Sequence, residues 1–111
     1  MQHEVRNIDI EIEQAKKSIA LRDALVRLEK NRDFRKVVTD GFLKEFALNT
    51  IAVRGRPEFR NSEALMESNT RKLDAMGELH EYFRNVKSNG LMMESALSEA
   101  QELRDEVAME E

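Results

Sequence analysis

Apolar residues near the start of the chain, Ile8, Ile12, Ala15 and Ile19, are spaced four, three and four apart, the repeat of one face of an α-helix. The stripe then shifts toward Leu21, Leu25 and Leu28, the drift of a straight 3.6-residue helix whose seam is not a strict heptad. Glu13 with Lys17 and Asp23 with Arg27 add acid-before-base pairs at i,i+4. Ile8, Ile10 and Ile12 also alternate with Asp9 and Glu11 at the period of a strand, but the alternation stops while the helical spacing continues. A helix over about 5–29 is predicted.

The pattern breaks near residues 29–33, where Asn31 or Asp33 can cap a new helix by accepting from an orphan backbone N–H. A second helix over 32–53 follows, with Phe34, Val37, Val38, Phe42 and Phe46 on one face and Leu43 and Leu48 beside them. Gly41 lies inside it, where glycine costs up to ~1 kcal/mol relative to alanine, so close approach of a neighbouring helix is its expected reason. Residues 54–61 contain the only proline and read as a hinge loop. Asn61 or Ser62 then caps a third helix, 62–88, with Leu65 or Met66, Leu73, Met76, Leu79, Phe83 and Val86 as its apolar positions. Asn89 and Gly90 are expected to end it, Gly90 taking the left-handed conformation and Lys87 lying near the negative end of the dipole. A fourth helix, 91–109, carries Ala96 or Leu97, Ala100, Leu103 and Val107, and the terminal Glu110 and Glu111 are expected to fray. The prediction is an all-α fold, a single domain over 1–111 built of antiparallel helical hairpins or a bundle of about four helices.

Composition adds association to that expectation. Hydrophobic residues make up 41% of the 111, but with five Phe, one Tyr and no Trp the core must be mainly aliphatic. A short chain buries a low fraction of its surface, so an oligomer or a partner surface is expected. The absence of cysteine excludes disulfides, thiolate metal sites and cysteine nucleophiles, and fits a reducing compartment. The charged first fourteen residues lack the apolar run of a signal peptide, and no window reaches the ~20 apolar residues of a membrane span. A soluble chain without membrane contact is predicted. The net charge of −4 is unevenly distributed, since residues 1–60 hold 13 bases against 10 acids and residues 61–111 hold 5 against 12. This polarity favours head-to-tail contacts or steers a charged partner.

The candidate chemistry is that of binding. His80 and Glu81 begin like a zinc-protease helix, but Arg84 stands where the second histidine is required, and His3 is terminal. No nucleophile elbow, phosphate loop or dinucleotide fingerprint is present, so neither enzymatic activity nor a cofactor or metal is expected. Arg54-Gly55-Arg56-Pro57 resembles the core of the AT-hook, whose two arginines lie along a narrow minor groove. Val53 and Glu58 flank it where that family carries further bases. With Arg60 and a second cluster, Arg27, Lys30, Arg32, Arg35 and Lys36, it makes up the candidate nucleic-acid or partner contact. Glu29 and Asp33 reduce the net charge of residues 27–36 to +3, and the acidic fourth helix is the preferred occupant of that patch, in the same molecule or a neighbour. Phe34, Phe42 and Phe46 are candidates for a protein interface. Met92 and Met93 join them, because adjacent residues point about 100° apart on a helix and one must be exposed or meet a partner.

The stretches IALRDAL (19–25), LEKNRDFRKV (28–37), DGFLKE (40–45) and LHEYFR (79–84), with the glycine at 90, resemble small helical proteins encoded among the virion and packaging genes of tailed bacteriophages. The resemblance spans about two thirds of the chain and contains no catalytic or binding motif. It implies a structural or assembly protein, such as a connector, portal-associated, scaffold-like or packaged protein, located in the virion or the host cytoplasm. Two other functions fit the residues: a small DNA-binding module using the Arg-Gly-Arg-Pro loop, and an inhibitor of a host enzyme acting through the acidic fourth helix.

Overall fold

The computed structural model describes residues 2–110, with side chains from Glu4 onward. The His3 side chain and Glu111 lie outside what is described, while Glu110 is the last residue of a helix. The described residues are all-α and contain no strand. Helix α1 covers Gln2–Lys30, and a single turn, α2 (Arg32–Phe34), leads into a π-helix, Arg35–Phe46. Helix α3 (Ala47–Ala52), a 3-10 turn (Val53–Gly55), the short α4 (Pro57–Arg60) and the long α5 (Glu63–Glu110) complete the order. Two compact units result, one from residues 1–26 and 85–111 and the other from residues 27–84.

In the first unit α1 and α5 run antiparallel, as Asp9 meets Arg104 while Arg22 meets Glu94. Ile8, Ile12, Ala100 and Val107 form its buried cluster, with Val5 and Leu97 packed against it. The α1 seam runs Val5, Ile8, Ile12, Ala15, Ile19, Arg22, Val26, alternating three and four, and Leu25 is buried on its flank. The predicted drift toward Leu21 and Leu28 is corrected, since both are exposed. The seam continues through an arginine instead. Its α5 counterpart, Val86, Gly90, Met93, Leu97, Ala100, Arg104, Val107, has the same alternation and again passes through an arginine.

The expected stop at residues 89–90 is also corrected: the predicted helices 62–88 and 91–109 are one helix, and no glycine has positive φ. Gly90 is buried, and a Cβ added there would lie 2.4 Å from the Arg22 Cβ. It is therefore a point of close helix approach, where the ~1 kcal/mol propensity cost of glycine is offset by packing that a side chain would prevent.

In the second unit Asn31 caps α2, its Oδ1 accepting from the Phe34 N–H at 2.9 Å, in agreement with the sequence. The predicted α-helix over 32–53 is corrected to a chain of α, π, α and 3-10 turns. The apolar spacing supplies the reason. Half-buried Phe34 and Leu43 are nine residues apart, as are Val38 and Ala47. Nine residues place two side chains half a turn apart on a 3.6-residue helix, but nearly in line on a π-helix of roughly 4.4 residues per turn. Gly41 belongs to this geometry too, because an added Cβ would lie 2.8 Å from the Lys36 carbonyl oxygen of the same segment, not against a neighbouring helix. The expected hinge loop 54–61 is mostly helical turns, with Arg56 extended (φ −76°, ψ 136°) and Pro57 opening α4. Ser62 then caps α5, its Oγ accepting from the Leu65 N–H at 3.3 Å.

Candidate functional site

The most constrained polar group in the second unit joins α3, the 3-10 turn and α5. Asn69 is buried on α5, donates through Nδ2 to the Thr50 carbonyl at 2.8 Å and accepts at Oδ1 from Arg54 Nη1 at 2.7 Å. Arg54 Nη1 also donates to Thr70 Oγ1 at 3.1 Å. The buried Thr50 donates its hydroxyl back to the Phe46 carbonyl at 2.7 Å. Each buried side-chain nitrogen or oxygen among the described residues has a partner, and the bonds of this group fix where α3 stands on α5.

This arrangement separates the arginines that the sequence places together. Arg54 is half-buried and held by Asn69, whereas Arg56 and Arg60 are exposed. Arg54 lies in a 3-10 turn and Arg56 in extended backbone, so the two do not form the single extended strand that lies along a minor groove. Arg27, Lys30, Arg32, Arg35 and Lys36 are all exposed, and Asp40 and Glu45 join the last three around a solvent-open groove. The phenylalanines also divide. Phe34 is half-buried with its ring 6.1 Å from that of Phe83, while Phe42 stacks on the exposed Phe46 at 5.8 Å. Met92 is exposed and Met93 occupies the α5 seam.

In the first unit Arg22 is the main electrostatic feature. Its stem passes Gly90, and its guanidinium pairs with Glu94 across the helices and with Asp23 at 2.9 Å. Those hydrogen bonds, to Glu94 first and Asp23 second, raise the guanidinium pKa above the usual arginine value. Arg104 Nε donates to Asp9 Oδ1 at 2.5 Å beside an open groove that includes Glu13 and Lys16. Among the described residues no three His, Asp or Glu side chains are grouped to hold a metal, and no helix is long and apolar enough to cross a membrane.

Sequence reasoning missed Thr50, Asn69, Arg22 and Arg104 as structural positions and gave Gly90 a different role. A signal existed for Asn69, since 66, 69, 73 and 76 continue the three-and-four spacing through it. The same spacing marks Arg22 and Arg104. A search for apolar residues alone passes over all three. No family model, curated protein or solved structure matches this chain.

Proposed function

We propose that this chain is a non-catalytic assembly protein acting through helix-to-helix protein contacts, in the particle of a tailed bacteriophage as the resemblance of residues 19–45 and 79–84 implies. One observation carries the reading. The segment from Arg35 to Ala52 fully buries only Thr50, yet it exposes Val37 (67%), Leu48 (59%), Ile51 (55%) and Phe46 (42%). Val37 and Phe46 are two π-turns apart and share a side, as do Leu48 and Ile51 at i,i+3 on α3. Fully burying one such side chain is worth about 1.5–3 kcal/mol, so a protein covering several of them gains more than a single rim contact offers.

The test is absolute mass by light scattering across a concentration series in about 0.5 M salt, where surface charge contacts are screened. A mass above the 12.9 kDa of one chain is expected, reduced by the combined substitution Val37→Ser, Leu48→Ser and Ile51→Ser. A 12.9 kDa species at every concentration refutes association through these apolar side chains. Salt-sensitive DNA binding by that monomer, lost on Arg32→Ala with Arg35→Ala, would favour the nucleic-acid reading.

A further inference from the structure

The outer flank of α5 in the first unit carries Met92, Glu99, Leu103, Glu106 and Glu110 at intervals of seven, four, three and four, all exposed. Their position follows from the seam. With Met93, Leu97, Ala100 and Val107 turned toward α1, residues spaced in this way form a neighbouring stripe that α1 does not cover. The stripe is apolar at two positions and acidic at three. In the second unit the turn at Asn31 presents the opposite composition: exposed Arg32, Arg35 and Lys36 with exposed Leu28 and Val37 beside them. Asp33 lies among these bases and Asp40 and Glu45 line the same groove, while residues 27–36 as a whole remain net +3.

We propose that these surfaces dock on each other between copies, the acidic α5 flank of one chain on the basic Asn31 turn of the next. The inference rests on the self-assembly reading above and adds a second, charge-selected contact to it. Two features favour another copy as the occupant. The signs are complementary, and each surface pairs its charges with exposed aliphatic side chains that lose water on contact. Different patches meet in such a contact, so it is heterologous and propagates into a ring or a filament. Opposite net charge favours this pairing over either patch meeting its own kind.

The experiment uses the full chain and two charge-reversal variants. One carries Arg32→Glu, Arg35→Glu and Lys36→Glu, and the other Glu99→Lys, Glu106→Lys and Glu110→Lys. Mass is read at about 0.05 M and 0.5 M salt, because exposed charge pairs are screened at the higher value. The wild-type chain is expected to gain mass at low salt over its high-salt value. Each variant alone should lack that gain, with association at least roughly tenfold weaker. An equimolar mixture should regain it, since the unaltered acidic flank of the first variant meets the unaltered basic turn of the second and the two reversed surfaces also match. Circular dichroism checks helicity, and Gln at the same positions replaces either variant that loses it. A wild-type chain without a low-salt gain, a variant that keeps the gain, or a mixture that fails to restore it overturns the contact. Assembly persisting at high salt in any of those cases leaves the apolar reading standing, whereas a monomer in high salt refutes that reading by itself.

Discussion

Gly90→Ala and Gly77→Ala are the same chemical change in the same helix, yet the structure assigns them opposite signs. At Gly77 an added Cβ meets nothing within 4 Å, so the substitution should stabilise by up to ~1 kcal/mol through helix propensity. At Gly90 it would meet the Arg22 Cβ, Cγ and Cδ at 2.4, 2.8 and 2.9 Å. Ordinary contact begins near 3.4 Å, so α1 and α5 must separate locally by about 1 Å. Overpacking of this kind costs about 1–3 kcal/mol, and the propensity gain common to both sites cancels when the two variants are compared. Their stabilities should therefore differ by about 1–3 kcal/mol, or very roughly 4–12 °C in melting midpoint for a chain of this size. Thermal unfolding followed by circular dichroism measures the difference. Arg22→Ala should not relieve the clash, because alanine retains the Cβ, while Arg22→Gly should. Equal stabilisation by Gly90→Ala and Gly77→Ala would refute the close approach at residue 90.

Two further tests address the second unit. Asn69→Ala strips partners from the Thr50 carbonyl and Arg54, and should cost about 1–3 kcal/mol, with hydrogen exchange accelerated in α3 rather than at the Asp9–Arg104 contact. Gly41→Ala places a methyl 2.8 Å from the Lys36 carbonyl and should destabilise by about 1–3 kcal/mol despite alanine's higher helix propensity; backbone chemical-shift changes confined to residues 35–46 would locate the strain, and a net stabilisation would show that the segment is not held in the π form.

The all-α class, the Asn31 and Ser62 caps and the half of the α1 seam from Ile8 to Ile19 were legible because each rests on a local rule: apolar spacing, or a side-chain oxygen beside an orphan N–H. The candidate surfaces were legible in part. The bases at Arg27, Lys30, Arg32, Arg35 and Lys36 are exposed as their charge suggests, but nothing near Arg54 in sequence reveals that Asn69, fifteen residues away, holds it.

By itself the sequence determined that the chain is helical, where α1 ends, where α5 begins and how charge is distributed, since these follow from residues within one or two turns of each other. Tertiary structure decided the rest. Gly90 is a stop signal when read locally and a contact point when Arg22 lies against it, and the difference is the Arg22 stem, 68 positions away in sequence, occupying the space that a side chain at residue 90 would need. The π-helix likewise depends on which side chains of residues 34–47 find cover: an α-helix places Phe34 and Leu43 on opposite sides, whereas the wider turn brings both to the half-buried side. Local spacing proposes these alternatives, and the burial available in the folded chain selects between them.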